Sequence, residues 1–262
     1  MSDPKPAIFI TGAAAGIGRA TAQLFLEKGW FVGMYDINPE IVMDAALVRT
    51  MGNGIAGQLD VTDYPAMQTA LAEFTAASAG RLDLMFNNAG IASVEVFEDV
   101  PITRQHALID VNFKGVVNGC NAALPHLKRT PGSRLISMAS ASAIYGAPSF
   151  AVYSATKFAV RGLSEALDIE WSRHGIRVMD VMPLFVNTPM VAQFDRKPKS
   201  FDRLGMHLTS EDIARTVWRA AHWKLWTRVH WYPGLQTKLL ALFTKLQPAW
   251  LNRTTTKLVS GF

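Results

Sequence analysis

Short apolar runs alternate with helix-length segments along most of this chain. The runs read AIFI, WFVGMYD, GIAGQLDV, LDLMFNNAG, RLISMAS, IRVMDVMP and RVHWYP. Strands this uniformly apolar are typical of a parallel sheet that is covered by helices on both faces. Right-handed crossovers then wind the chain to both sides of the sheet. The sequence therefore predicts a doubly wound α/β fold, with about seven parallel strands and a single domain over residues 1–262.

Helical segments are expected between these strands. They cover residues 14–27, 39–51, 64–78, a stretch that ends near 128, 149–174 and 210–222. Residues 189–208 are rich in charges and carry Pro198 and Gly205, which predicts a loop-like insertion.

Composition limits the class of protein. The chain is 49% hydrophobic and 18% charged, which suits one large globular domain. Its net charge of +5 comes from scattered Lys and Arg without an aromatic–basic array, so no nucleic-acid partner is expected. The single cysteine, Cys120, indicates a reducing compartment. We expect a cytoplasmic location, since neither a signal peptide nor an apolar run of roughly 18 to 20 residues is recognisable.

A glycine-rich turn follows the first predicted strand. The segment TGAAAGIG places Gly12, Gly16, Ile17 and Gly18 between that strand and the first helix. Such a turn lets the backbone approach a pyrophosphate, whose charge is favoured by the helix N-terminus. The spacing is G-x-x-x-G-x-G, and a glycine cluster alone also fits a simple tight turn.

An acidic residue ends the second predicted strand. Asp36 lies 18 residues after Gly18, close to the offset at which a carboxylate meets the adenosine ribose. A carboxylate there repels a 2′-phosphate, and neither Ala15 nor Ile37 offers a compensating positive charge. These residues favour NAD over NADP as the cofactor, while the alternative for Asp36 is a solvated turn acid.

The segment YSATK places Tyr153 and Lys157 one helical turn apart on the same side. An ammonium beside a phenol favours the phenolate, as does the positive nicotinamide ring of bound NAD. Tyr153 could then exchange a proton at a reacting oxygen. The alternative is a snorkelling lysine beside a packed tyrosine.

Taken together, these motifs resemble those of the short-chain dehydrogenase/reductase family. TGAAAGIG, DVT at 60–62, NNAG at 87–90, Asn112, Ser140 and YSATK occur in the family's order and spacing. The resemblance covers about residues 8–188 and implies a Rossmann-type fold and hydride transfer between an alcohol or ketone and a nicotinamide cofactor.

The resemblance also implies a catalytic tetrad. It consists of Asn112, Ser140, Tyr153 and Lys157, in which the serine orients the reacting oxygen and the asparagine holds a proton-relay water. Ser137 and Ser142 lack the family's 13-residue offset to Tyr153. Tyr145 has Ser149 four residues beyond it instead of a lysine.

Further cofactor contacts are implied by the same resemblance. They are Asp60, Val61, Asn88, Ala89, Gly90, Pro183, Val186 and Thr188, together with Tyr153 and Lys157. The NNAG segment also fits a strand-ending turn held by Asn side chains. Leu184 replaces a glycine that is usual in the family, which puts the path of that loop in doubt. A metal site is not expected, because the six histidines lack metal-ligand spacing.

An apolar, sulfur-rich set of residues is expected beside the reacting centre. Its members are Val94, Ile144, Tyr145, Phe185, Met190, Phe194, Met206 and Leu208. They suit a hydrophobic secondary alcohol or ketone, although each could instead belong to the core.

The C-terminal residues 234–262 form an amphipathic extension. Its apolar stripe consists of Leu235, Leu239, Leu242, Phe243 and Leu246, opposite Lys238 and Lys245. The stripe could pack on its own domain, form a subunit contact, cover the substrate pocket or bind a membrane surface peripherally. Members of the family are commonly tetramers or dimers, which implies a homo-tetramer or homo-dimer.

The leading hypothesis is therefore an NAD-dependent alcohol dehydrogenase or carbonyl reductase. The alternative is a nucleotide-binding or scaffolding protein of the same fold that has lost turnover. A Ser-His-Asp hydrolase is disfavoured, because SMASASA around Ser140 is not a G-x-S-x-G elbow.

Overall fold

The computed structural model describes residues 4–40, 53–192, 194, 198–225 and 227–262. The strands are β1 Ala7–Thr11, β2 Phe31–Asp36, β3 Gly54–Gln58, β4 Leu84–Asn87, β5 Arg134–Met138, β6 Arg177–Val181, β7 Val186–Asn187, β8 Leu208–Thr209 and β9 His230–Trp231. The α-helices are α1 Gly16–Glu27, α2 Tyr64–Ala77, α3 Ile102–Ile109, α4 Gly115–Arg129, α5 Ala151–Ser172, α6 Pro189–Ala192, α7 Lys199–Leu204, α8 Ser210–Ala221, α9 Gly234–Leu246 and α10 Ala249–Ser260.

Seven strands form one parallel sheet in the order β3-β2-β1-β4-β5-β6-β9. In the register at its centre, Phe9 of β1 lies opposite Gly33 of β2 and Met85 of β4. The chain adds β2 and β3 on one side of β1 and then crosses to the other side to form β4. Since the direction of winding reverses between β1 and β4, a crevice opens at the carboxyl ends of these two strands. The predicted single-domain, doubly wound parallel sheet of Rossmann type is confirmed.

Helices cover both faces of the sheet and bury one apolar layer on each. On one face, α2, α4 and α5 contribute Met67, Cys120 and Val160 to the core. On the other face, α1 and α8 contribute Phe25 and Val217. Strands that face a helix layer on both sides need apolar residues at successive positions, which explains the continuous runs in the sequence.

The insertion at 189–208 is more ordered than its composition predicts. It contains the short helices α6 and α7, and β8 closes it by pairing Leu208 with Val186. Phe201 of α7 is buried and fixes this segment to the domain. Residues 193 and 195–197 of the insertion, and most of the helix predicted over 39–51, lie outside the described residues.

The long helical stretch before β5 is interrupted by a π-helical segment. Residues Asp110–Lys114 join α3 to α4 with this wider hydrogen-bond pattern. Single π turns inside helices are frequent at functional sites. Among the helices that the structure describes, none is long and apolar enough to cross a membrane.

Candidate active site

The glycine turn lies at the carboxyl end of β1 and opens onto a cleft of about 640 Å³. Gly12 has a φ of +67°, and a Cβ there would lie 2.8 Å from the Ala89 Cα. A Cβ on Gly18 would lie 2.1 Å from the Gly12 carbonyl oxygen. Gly12, Gly16 and Ile17 line the cleft, whereas Gly18 packs behind it. The turn therefore offers bare backbone and the N-terminus of α1 to a phosphate.

Asp36 lines the same cleft from the end of β2. One carboxylate oxygen accepts a hydrogen bond from the Ala14 N–H at 2.9 Å, and the other accepts one from the Asn38 N–H at 3.0 Å. Each oxygen has a second lone pair for a further donor. Asp36 is thus a turn acid and also faces the cleft, so the two readings of its role are compatible.

The NNAG segment builds the floor of the cleft. The Asn88 amide donates to the carbonyl oxygens of Thr11 and Gly12, both at 2.9 Å. The Thr11 hydroxyl oxygen accepts from the backbone N–H groups of Asn88 and Ala89 at 3.0 and 3.1 Å. These bonds fix β1 to the end of β4, and Asn88, Ala89 and Gly90 also line the cleft.

On the side of the cleft next to β3, Asp60 and Val61 follow that strand and line the wall. Asp60 accepts hydrogen bonds from the backbone and hydroxyl of Thr62 at 2.9 and 2.8 Å. The opposite rim contains Pro183, Leu184, Val186 and Thr188 after β6. The leucine that stands where the family has glycine therefore faces the cleft.

Ser140, Tyr153 and Lys157 meet at the carboxyl end of β5 and line the cleft. Ser140 follows β5, while Tyr153 and Lys157 lie on the first turns of α5. The Lys157 ammonium lies 5.5 Å from the centre of the Tyr153 ring and donates to the Met138 carbonyl oxygen at 2.8 Å. Only 3% of Lys157 is exposed, so this lysine does not snorkel into solvent.

Burial is the main influence on the ionisation of Tyr153 and Lys157. It raises the pKa of Tyr153, and a hydrogen bond with Ser140 acts in the opposite direction. Burial also lowers the pKa of Lys157 to about 8. In the protein without cofactor, the phenol is therefore held in its protonated form at neutral pH. Of the two positive charges expected to favour the phenolate, the ammonium of Lys157 therefore does not suffice without that of a bound nicotinamide ring.

Asn112 lies beneath the cleft in the π-helical segment and is fully buried. Its amide oxygen accepts from the Ile91 N–H at 2.8 Å, and its amide nitrogen donates to the Ile91 carbonyl at 2.9 Å. A Cβ on Gly90 would lie 3.1 Å from that amide oxygen and 3.7 Å from the Lys157 Nζ. The absence of a side chain at Gly90 therefore leaves space between Asn112 and Lys157.

The substrate side contains some of the predicted residues and omits others. Five of them line the cleft, namely Ile144, Tyr145, Phe185, Met190 and Phe194. Val94, Met206 and Leu208 are not among the residues that line the described cleft. Leu208 instead packs against the apolar core beside β7.

An aromatic cluster forms the apolar end of the cleft. The centre of the Phe201 ring lies 4.0 Å from the centre of the Phe185 ring and 6.3 Å from that of the Phe150 ring. Phe150 in turn lies 5.9 Å from the Tyr153 ring. Sequence analysis missed Phe150 and Phe201, although the aromatic content of 189–208 and the position of Phe150 just before YSATK were visible signals.

The C-terminal helices supply a wall that sequence analysis named only as one alternative. From α9, α10 and the turn between them, the lining residues are Leu240, Phe243, Thr244, Gln247, Asn252, Thr255, Thr256, Val259 and Ser260. The Asn252 amide donates to the Thr244 carbonyl oxygen at 2.9 Å and holds the two helices as a hairpin. The extension therefore covers the substrate end of the cleft. Within the predicted stripe, Phe243 lines the cleft although part of its ring is exposed, whereas Leu235, Leu239, Leu242 and Leu246 are exposed and do not line it.

The cleft has the features that a nicotinamide dinucleotide requires. Bare glycine backbone at a helix N-terminus suits the pyrophosphate, the Asp36 carboxylate suits a ribose, and the Tyr153–Lys157 pair stands at the far end. Within the part of the chain that the structure describes, His, Cys, Asp and Glu side chains form no group of three that could hold a metal. The fold and the site thus define a dinucleotide-binding oxidoreductase.

Comparisons with known proteins agree with this class. A family model described as short chain dehydrogenase matches residues 6–199. Cyclohexanol dehydrogenase from Acinetobacter sp. (strain SE19) is 32% identical over 215 residues, which cover 79% of this chain and 84% of the relative. Mitochondrial borneol dehydrogenase from Lavandula x intermedia is 35% identical over 211 residues, or 79% of this chain and 80% of the relative.

A solved structure shows the same fold. The crystal structure of 3-ketoacyl-(acyl-carrier-protein) reductase from Brucella melitensis complexed with NADH superposes with a TM-score of 0.77 at 26% identity. The match covers 87% of this chain and 96% of that one. The chain therefore belongs to the short-chain dehydrogenase/reductase family.

Proposed function

We propose that this protein is an NAD-dependent oxidoreductase that interconverts a hydrophobic secondary alcohol and its ketone. The observation that carries the proposal is the position of Tyr153 and Lys157. Both line the same cleft as the glycine turn and Asp36, and the lysine is buried against the tyrosine ring. One cleft thus contains a proton-transfer group and a dinucleotide site.

Each polar side chain has a proposed role. A bound nicotinamide ring supplies the acceptor or donor of hydride. Tyr153 takes the hydroxyl proton of the alcohol, and returns a proton to the carbonyl oxygen in the reverse reaction. Ser140 orients the reacting oxygen, and Lys157 favours the phenolate that forms on Tyr153. Asn112 supports this arrangement from below through its bonds to Ile91.

The choice of NAD over NADP depends on Asp36. Its carboxylate can accept hydrogen bonds from the ribose hydroxyls while it repels a 2′-phosphate. The neighbouring Ile37 lines the cleft and adds no positive charge. Tighter binding of NADPH than of NADH would contradict this proposal.

The aromatic end of the cleft supports a hydrophobic substrate. Phe150 lies beside Tyr153, and Phe194, Phe201 and Phe185 extend this aromatic cluster. The C-terminal hairpin adds further apolar contacts. The two relatives named above are dehydrogenases of cyclohexanol and borneol, which are both alicyclic secondary alcohols. A cyclic or terpenoid alcohol is therefore the first class to test.

Assembly and location are part of the proposal. Exposed apolar residues on α3, α4 and α5, including Ile109, Val117 and Phe158, support a homo-dimer or homo-tetramer. The buried, unpaired Cys120 suits the reducing cytoplasm. Size-exclusion chromatography with light scattering would test the oligomeric state.

A panel of secondary alcohols with NAD tests the function, with Tyr153→Phe as the diagnostic variant. We expect a loss in kcat of about 10²- to 10⁴-fold, the range for removal of a general acid–base group. Tyr145→Phe is the matched control, because this second tyrosine also lines the cleft. The variant should still bind NADH, which shows that the fold is intact.

A protein of the same fold without turnover is the competing function. Equal rates for Tyr153→Phe and the unmodified protein would remove Tyr153 from the reaction. Binding of NADH without turnover of any alcohol or ketone in the panel would favour the nonenzymatic alternative.

A further inference from the structure

The first C-terminal helix, α9, turns its apolar side away from the protein. Leu235 and Leu246 are 71% and 72% exposed, whereas Thr237 on the inner side is 1% exposed. A helix that packs on its own domain normally shows the opposite pattern, with leucines inside and threonines outside. The outer side of α9 is therefore built to contact something other than this domain.

The second helix, α10, has the same arrangement. Trp250 and Leu258 are 68% and 65% exposed, while Asn252 is buried and bonded to α9. Thr255 faces the cleft instead of solvent. Both helices of the hairpin thus place polar residues beside Leu240, Phe243 and Val259 on the inner side, and present their other large apolar residues outward.

Together these side chains form the outer face of the hairpin. It comprises Leu235, Leu239, Leu242, Leu246, Trp250 and Leu258, with Phe262 just after the end of α10. Single exposed apolar residues are normal on a protein surface, but this many on two adjoining helices mark an interaction site.

The charges on the hairpin distinguish between possible partners. Lys238, Lys245, Arg253 and Lys257 are its four ionisable side chains, and residues 234–262 contain no Asp or Glu. A two-fold contact between copies of this hairpin would bring these cations together without acidic partners. An anionic lipid surface offers negative charge to these cations and an apolar layer to the exposed apolar side chains.

We infer that the outer face of the C-terminal hairpin docks on an anionic lipid bilayer. Its leucines and Phe262 enter the boundary between headgroups and acyl chains, Trp250 lies at the interface, and the lysines and Arg253 contact lipid phosphates. Both helices lie along the membrane surface, since neither is long enough to span it. The docking does not depend on the catalytic proposal.

Vesicle co-sedimentation of the full-length protein tests this inference. The vesicles are phosphatidylcholine alone or phosphatidylcholine with phosphatidylglycerol, at low and high salt. We expect binding to the anionic vesicles that weakens as salt rises. The triple variant Leu242→Ser/Leu246→Ser/Trp250→Ser, whose residues do not line the described cleft, should bind at least tenfold more weakly.

Matched controls separate docking from unfolding and from loss of charge. The variant Ile102→Ser/Ile169→Ser/Leu225→Ser removes three equally exposed apolar residues elsewhere and should bind like the unmodified protein. Lys238→Glu/Lys245→Glu should lose the preference for anionic vesicles, whereas Lys128→Glu/Lys224→Glu should keep it. NADH binding by each variant reports an intact fold.

Three results would overturn the inference. The first is no binding of the unmodified protein to anionic vesicles, and the second is equal binding of the hairpin triple variant. The third is a fall in molar mass, measured by light scattering, when the hairpin face is made polar. That result would show that a second copy of the chain covers this face.

Discussion

At the scale of single residues, the buried position of Lys157 places its amine beside Tyr153 and also makes the charged form of that amine less stable. The ammonium is buried and makes a hydrogen bond to the Met138 carbonyl oxygen. A single neutral acceptor replaces the hydration of a cation only partly, so burial favours the uncharged amine. The charged form of Lys157 is therefore destabilised by its buried surroundings.

This burial predicts a dependence of stability on pH. The pKa of Lys157 is about 8 in the folded protein and 10.5 ordinarily. Between these values the unfolded chain binds a proton that the folded protein has released, so this residue makes stability rise with pH. The contribution is on the order of 3 kcal/mol, from 1.36 kcal/mol per pKa unit.

Urea unfolding at pH 7.5 and pH 10.5, without cofactor, measures this effect in the unmodified protein and in Lys157→Met. The free energy of unfolding should rise more steeply with pH for the unmodified protein. Parallel pH profiles for the two proteins would contradict the burial argument.

Asp36 predicts the cofactor preference. In Asp36→Asn the amide oxygen can keep one of the bonds from Ala14 or Asn38, but the charge is lost. A charge-assisted hydrogen bond contributes about 1.5–3 kcal/mol, so NADH affinity should fall roughly tenfold or more, while NADPH loses its repulsion. Fluorescence titration with both dinucleotides measures the ratio, with Asp99→Asn outside the cleft as control. An unchanged ratio would remove Asp36 from cofactor selection.

At the scale of elements, α8 begins with a reciprocal pair of capping bonds. The Asp212 N–H donates to the Thr209 hydroxyl at 3.3 Å, and the Thr209 N–H donates to the Asp212 carboxylate at 2.9 Å. Since α8 packs with α1 behind the glycine turn, this cap also supports the cofactor end of the cleft.

Thr209→Ala removes one of these two bonds. We expect the free energy of unfolding to fall by about 1 kcal/mol, the usual effect of losing an N-cap hydroxyl. Urea unfolding measures the loss, and Thr209→Ser should retain most of the stability because it keeps the hydroxyl. Equal stability for the Ala and Ser variants would show that the cap does not stabilise α8.

The elements also show what local sequence could predict. Continuous apolar runs predicted the strands of the parallel sheet, because a strand covered on both faces has no polar side. The short β7–β8 pair was not predicted, since its register depends on contacts between residues far apart in sequence. The π-helical segment at Asp110–Lys114 was missed for a related reason, because ordinary helical residues surround Asn112.

At the scale of the whole molecule, one half of the cleft could be predicted from short sequence motifs and the other half could not. The dinucleotide half is built from turns that follow strands, so short motifs located Gly12, Asp36 and Asn88. The substrate half depends on how the insertion and the C-terminal hairpin fold back over long distances. Local patterns therefore placed Phe185 on the cleft, whereas Val94 and Met206 are not among its described lining residues.

This division predicts a selective effect of Leu240→Gln in the hairpin wall. The KM for a hydrophobic alcohol should rise about tenfold, because an apolar contact of roughly 1.4 kcal/mol is lost. The dissociation constant of NADH should stay unchanged, since Leu240 lies on the substrate side. Steady-state kinetics and fluorescence titration measure the two quantities. A parallel loss of NADH affinity would show that the halves are not independent.

The hairpin that closes the cleft follows all the strands of the sheet in chain order. A ribosome still holds these helices in its exit tunnel when the strands of the sheet have already emerged. The nascent protein can therefore acquire its nucleotide pocket before its substrate pocket exists. Substitutions in the hairpin should for the same reason reshape that end of the cleft, while Tyr153 and Lys157 keep their positions.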